Sequence, residues 1–130
     1  MKNVIIYSRV ATDETTMSLE FQEETLKNYC KEHNFKIIKS YKEVYPGNTF
    51  NRPEWLKLQN FIEASESIVQ SILVIRFDRF CRNILLSVKE VDRLNKLGVS
   101  VECIEHQIEN ISMDRLFFKN ILLITLEIEN

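Results

Sequence analysis

The sequence predicts one α/β domain over residues 1–130, with a mostly parallel central sheet and helices on both faces. Three observations lead there. Short β-branched runs such as Asn3–Arg9 and Ser71–Arg76 have the continuous apolar character of strands buried on both sides. Between such runs lie segments whose apolar residues recur at helical spacing, so strand and helix alternate. Finally, 130 residues with 45% hydrophobic content, 28% charged content, two glycines and two prolines suit a single core with long elements and few loops.

The first strand, Asn3-Val-Ile-Ile-Tyr-Ser-Arg9, is followed by a polar stretch from Ala11 to Met17. Ser18 stands where a helix N-cap is wanted, and Glu20 adds negative charge to the first turn, complementing the helix dipole. That helix is expected to reach about His33, with Leu19, Leu26, Tyr29 and Cys30 on one face. Phe35 to Val44 reads as a second strand, and Tyr45-Pro-Gly-Asn-Thr-Phe-Asn51 as a turn-rich loop. Pro53 suits the first turn of a second helix through Leu58, Phe61 and Ile62. Ser71 to Arg76 is the third strand. A further helix from about Ile84 to Leu97 carries Ile84, Val88, Val91 and Leu94 at helical spacing. Gly98 ends it as a left-handed cap, and Val99 to Ile104 is the fourth strand. Short connections between alternating strands and helices imply parallel pairing. No repeat, low-complexity tract or linker interrupts the pattern.

The last segment, Asp114 to Asn130, has a helical look but is apolar almost all round. Phe117, Phe118, Ile121, Leu122, Leu123, Ile124, Leu126 and Ile128 cannot share one core stripe. Such a helix packs on its own domain with one side and on a partner with the other, or it is a fully buried central helix. The sequence stops within it and no capping residue follows, as expected of a long helix cut short.

Composition narrows the function classes. A formal net charge of −2 gives no bulk sign of a dedicated nucleic-acid-binding domain, which is usually basic. A mean charge hides local clusters, however, and five of the seven arginines fall in three short segments: Arg9, Arg52, and Arg76, Arg79 and Arg82. Cys30, Cys81 and Cys103 form no CxxC pair and read as reduced, buried thiols of a cytosolic protein. His33 and His106 lack ligand-like spacing, so no metal site is expected. The amino terminus reads as a strand, not a signal peptide, and no apolar stretch is long enough to span a membrane.

In a parallel α/β sheet, functional groups gather beyond the carboxyl ends of the strands. The first strand ends in Tyr7-Ser-Arg9-Val-Ala11-Thr12. The second runs into Glu43 and the loop leading to Arg52. The third ends in Arg76-Phe-Asp78-Arg79-Phe-Cys-Arg82-Asn83. Together they imply an arginine-rich site with two carboxylates. Guanidinium groups stay charged, bind phosphate oxygens in fixed geometry, and would stabilise the added charge of a phosphoryl-transfer transition state. Asp78 is placed to orient Arg82, four residues on, or to give a proton to a leaving oxygen. Taken alone, the segment favours the plainer reading, that Asp78 caps the following helix and pairs with Arg82 on a solvated surface.

Taken in order, these segments resemble the catalytic domain of serine site-specific recombinases, the resolvase/invertase family. Tyr7-x-Arg9-Val-x-Thr12 and Ser18-Leu-Glu-x-Gln22 are similar to that family's Y-x-R-V-S-T…S-L-x-x-Q opening. Gly47…Arg52-Pro53 resembles its G…R-P segment, and Phe77-Asp-Arg-Phe-Cys-Arg-Asn83 its L-D-R-L-x-R-N motif. Leu126-Glu-Ile-Glu-Asn130 is similar to the start of its E-x-E-rich long helix. Each motif is weak alone, whereas the ordered set spans essentially the whole chain.

The resemblance implies a resolvase-like fold ending in a long dimerisation helix, here truncated, with the family's separate carboxyl-terminal DNA-binding region missing. It implies that Arg9, Arg79 and Arg82 contact the scissile DNA phosphate, with Arg52 a fourth. Asp78 would assist the leaving group or hold the arginines, and Tyr7 and Gln22 would support them. Gln22 is independently unusual, an amide on the core-facing side of its helix. No metal and no small-molecule cofactor is expected, since arginines do the electrostatic work and the phosphoserine link conserves the bond energy. The implied partners are DNA at a recombination site, a second copy in a homodimer, and a homotetramer in synapsis. No membrane association is expected, and the implied setting is the bacterial cytoplasm, on DNA.

One departure is decisive for chemistry. Ala11 stands where the family has its nucleophilic serine, and a methyl group cannot attack phosphorus. Ser8 should point to the opposite face of the strand from Arg9, and nothing marks Thr12 or Ser18 as activated. Further departures are Pro46 for a usual serine, Glu43 for a usual aspartate and Thr15 for a common glutamine. Natural drift explains scattered changes better than a single engineered replacement. Two other functions compete with an inactive recombinase domain. One is a non-catalytic, DNA-associated dimerisation or assembly module derived from a recombinase. The other is a flavodoxin-like regulatory domain with Asp78 as phosphoacceptor, which the surrounding arginines disfavour.

Overall fold

The computed structural model describes residues 1–11, 17–65 and 68–106. The long helix expected from Asp114 to Asn130 lies outside them, as do Thr12 and Thr15. In chain order the elements are β1 (Asn3–Val10), α1 (Leu19–Glu32), β2 (Lys36–Val44), α2 (Pro53–Ala64), β3 (Ser71–Val74), α3 (Phe77–Phe80), α4 (Ile84–Lys96) and β4 (Ser100–Cys103). A single 3₁₀ turn, Ile104–His106, follows β4.

The four strands form one sheet in the order β2-β1-β3-β4, and every pairing is parallel. β1 is central and buried along almost its whole length, which is why its sequence is a continuous apolar run. Its pleat sorts residues to two cores. Ile5 and Tyr7 join Ile72 and Val74 against Trp55, Leu58 and Ile62 of α2 and Val88, Val91 and Leu94 of α4. Val4, Ile6 and Leu73 face Leu26 and Cys30 of α1 on the other side. The helices therefore cover both faces, as the alternation of elements predicts.

Local chemistry sets the ends. Ser18 Oγ accepts the Phe21 N–H at 3.0 Å, making it the N-cap of α1. Gly98 has φ +81°, the left-handed conformation that lets the chain leave α4 for β4. Asn34, at φ 58°, performs the same service after α1. Pro53 opens α2 at its first turn.

Two differences from the sequence reading matter for the site. β3 ends at Val74 rather than Arg76, and the one-turn helix α3 follows it. Asp78 sits within that turn and does not cap the next helix. Asn83 does so, its Oδ1 accepting the Leu86 N–H at 3.0 Å. Asn83 is the better cap because it immediately precedes α4, so its short side chain reaches the first free N–H groups.

Candidate active site

The strand order creates a switch point. From β1 the chain crosses to β2 on one side and later returns to β3 on the other, so the connections diverge beyond the carboxyl ends of β1 and β3. Arg9 lies at the end of β1, α3 follows β3, and the loop after β2 leads to Arg52. The three polar segments singled out in the sequence meet at this end of the sheet.

Arg9 is the hub. Its side chain is fully buried, with Nε donating to Arg79 O at 3.1 Å, Nη1 to Tyr45 O at 2.8 Å and Nη2 to Asp78 O. One guanidinium therefore ties β1 to the loop after β2 and to the turn after β3. Burial, then the nearby Arg52 charge, lowers the Arg9 pKa from its ordinary value. Gln22 explains itself here. Its amide reaches from α1 to the Arg9 backbone, accepting the Arg9 N–H at 3.3 Å and donating to Arg9 O at 3.0 Å and Met17 O at 3.2 Å. A buried amide whose donors and acceptor are all used is a backbone clamp, which accounts for a polar group in the apolar stripe.

Tyr7 precedes Arg9 on the same face. Its hydroxyl donates to the Glu43 carboxylate of β2, which also accepts the Glu54 N–H at 3.1 Å. α2 has no side-chain cap of its own from Arg52, so Glu43 supplies one from a neighbouring strand. Burial, reinforced by the Glu43 bond, pushes the Tyr7 pKa up against the opposing pull of Arg52. A neutral phenol with no exposed surface is no substitute nucleophile.

Arg52 and Arg79 are also buried, while Arg82 is exposed. Arg52 Nη2 donates to Phe80 O at 2.6 Å, and its Cζ lies 4.9 Å from the Phe50 ring centroid, 5.4 Å from Tyr7 and 5.5 Å from Trp55. Its Nε and Nη1 have no hydrogen-bond partner among the described residues. Arg79 Nη1 points at Arg9 O, 3.5 Å away, and its Nε lies 3.5 Å from Asp78 Oδ1. The same Asp78 oxygen is 3.6 Å from Arg76 Nε. Two guanidinium groups beside one partly exposed carboxylate make a poor phosphoacceptor site, because they repel the divalent cation such chemistry needs.

Gly47 closes the site. A Cβ built there would lie 2.6 Å from Arg9 Nη2, 2.9 Å from Arg9 Cζ and 3.1 Å from Arg82 Cγ. Only a residue without a side chain lets this loop lie so close to the arginines. Its carbonyl is held by the Arg82 N–H at 2.7 Å and the Cys81 thiol at 3.2 Å.

Ala11 follows directly after β1, half-buried, two residues beyond Arg9. Ser8 is buried in the opposite direction and its Oγ has no partner among the described residues, so it lacks any activating base. The Ser18 hydroxyl is engaged in capping. Cys30 and Cys103 are buried thiols outside any disulfide, with pKa values pushed up to about 11 and about 12 by burial, so neither is poised as a nucleophile. Among the described residues no group of three or more His, Cys, Asp or Glu sits where it could hold a metal, and no helix is long and apolar enough to cross a membrane.

The structure thus brings together Tyr7, Arg9, Gln22, Arg52, Asp78, Arg79 and Arg82, with Ala11 at the edge. The sequence reading missed the aromatic residues Phe50, Trp55 and Phe80 around Arg52, and it missed the Tyr7–Glu43 bond. Phe50 and Trp55 lie close to the Arg-Pro step in sequence, whereas Phe80 and the Tyr7–Glu43 bond have no local signal there.

A parallel α/β domain with arginines clustered beyond its strand ends is suited to holding a phosphate or another oxyanion. The family model described as the resolvase N-terminal domain matches residues 4–129, and the chain belongs to that family. Its structure is similar to the N-terminal catalytic domain of TP901-1 integrase, at 23% identity and TM-score 0.78 over 98% of this chain and 94% of that one. It is also similar to a resolvase-family site-specific recombinase from Streptococcus pneumoniae, at 21% identity and TM-score 0.77 over 99% of this chain and 88% of that one. The C-terminal catalytic domain of ISC1926 TnpA, an IS607-like serine recombinase, gives 25% identity and TM-score 0.69 over 78% of this chain and 67% of that one. Among curated proteins, none matches the sequence.

Proposed function

We propose that this domain is a serine-recombinase catalytic domain without its nucleophile, which engages DNA phosphate and forms no covalent link. The observation that carries this reading is Ala11, next after β1 and two residues from Arg9, where the family resemblance puts the attacking serine. A serine hydroxyl there would form the phosphoserine bond and release a DNA hydroxyl end, with Asp78 supplying a proton or holding the arginines. With alanine, that step has no electron pair to begin it.

The phosphate-binding role falls to Arg9, Arg52, Arg79 and Arg82. Arg82, the exposed member, makes the first contact. The three behind it are held inward by carbonyls and π faces and strengthen the positive potential at that point. Neither a metal nor a small-molecule cofactor is part of this proposal. The partners are DNA, without sequence choice by residues 1–130 alone, and further copies of the chain as homodimer and synaptic homotetramer.

The test restores the hydroxyl. Ala11→Ser protein and the parent are incubated with duplex DNA, denatured, and resolved for protein–DNA adducts. An adduct from Ala11→Ser alone supports the reading. DNA binding and dimerisation by Ala11→Ser with no adduct would instead leave a non-catalytic assembly module.

A further inference from the structure

Trp55, the single tryptophan of the chain, is fully buried on α2 and forms one wall of the space that holds Arg52. Its ring centroid is 5.1 Å from Tyr7, 5.2 Å from Phe50 and 5.4 Å from Phe80. The Arg52 guanidinium lies against the Tyr7, Phe50 and Trp55 rings, an arrangement that holds a cation by its flat faces. Nε and Nη1 of Arg52 are the edges without a partner among the described residues.

The indole angle in such a wall needs fixing, because ring torsions are broad. Glu90 of α4 does this. Its Oε2 accepts the Trp55 indole N–H at 2.6 Å and also the Gln59 amide, while Oε1 meets Arg93 Nε at 2.6 Å. Glu90 is 7% exposed. The carboxylate gives the buried indole N–H its acceptor, which an apolar residue at position 90 would not.

We propose that Glu90 is a positioning residue for Arg52, acting through Trp55. The inference rests on the reading of Arg52 as a phosphate-binding residue. Glu90 touches no substrate. It sets the ring that sets the guanidinium.

The single tryptophan makes this measurable, because the protein's indole emission comes from the wall itself. Glu90→Leu, Glu90→Gln, Arg93→Ala and Arg52→Ala proteins are each read for emission and for binding of a short DNA duplex. Arg52→Ala should change the emission of the parent, and Glu90→Leu should abolish that Arg52-dependent change. Glu90→Leu should also weaken duplex binding roughly three- to tenfold, the size of a partly desolvated cation–π contact. Glu90→Gln keeps an acceptor for the indole N–H and should match the parent, as should Arg93→Ala, which removes the ion pairs to Glu90 and Glu63 and leaves the indole bond.

If Glu90→Leu lowers the unfolding temperature but leaves emission and duplex affinity of the folded protein unchanged, Glu90 is a packing residue and the proposal fails. Should Glu90→Leu not fold, Trp55→Phe decides: it keeps a ring and drops the N–H, so unaltered duplex affinity would overturn the proposal. If Arg52→Ala leaves duplex affinity intact, the phosphate-binding reading of Arg52 is what has failed. The emission coupling between Glu90 and Arg52 then still decides the positioning role.

Discussion

On one face of β1, Val4 and Ile6 meet Leu26, Cys30 and Leu73, and the contacts stay apolar until Ser8. On the other face Ile5 leads to Tyr7 and then Arg9, and the contacts change from packing to hydrogen bonds. Both faces are buried, and both begin in the same apolar run. They differ in what they do with polar atoms. The α1 face holds a hydroxyl with no partner among the described residues, whereas the other face ties its guanidinium and phenol groups to carbonyls and a carboxylate. The pleat separates support from chemistry, since successive side chains of a strand cannot share a face.

The comparison is broken most severely by opening the apolar face. Leu26→Ala removes a fully buried side chain from the smaller core and should cost about 2–5 kcal/mol of stability. Duplex affinity per folded molecule should not change. Urea unfolding and binding measured on the same preparation check this, and a loss of affinity in the folded fraction would show that the two faces are coupled.

Gly47→Ala attacks the polar face. The added methyl falls on the Arg9 guanidinium, so the loop or the arginine must shift, at a cost of about 1–3 kcal/mol. Unlike Leu26→Ala, it should weaken duplex binding as well, because Arg9 and Arg82 both border the added atom. Unchanged affinity would place Arg9 outside the phosphate-binding set.

The smallest effect is expected at Ser8. Replacing a buried hydroxyl that has no partner among the described residues should leave stability within about 1 kcal/mol of the parent, or raise it. In an Ala11→Ser background, Ser8→Ala should leave adduct formation intact, as gel resolution of adducts will report. Lost adduct would mean that Ser8, not residue 11, carries the attack.

Much of this was legible in the residues. Ser18 and Gly98 marked helix ends because capping is local: a side chain or a free φ acts within a few residues. Gln22 stood out as an amide in an apolar stripe, and its clamp on Arg9 accounts for it. Less legible was the short helix α3, which begins directly after the expected third strand. Its four residues carry no periodicity long enough to read.

By itself, then, the sequence determined the alternation of elements, the parallel sheet, the arginine-rich segments at its strand ends and the alanine at position 11. Each follows from periodicity, from capping chemistry or from one residue's identity. Only the tertiary structure decided which way the arginines face and what surrounds them. Arg9 finds its carbonyls 36 and 70 positions away, and Trp55 finds Glu90 35 positions away. A buried charge takes whichever partners the fold brings to it, and no local pattern in the chain encodes a partner that distant.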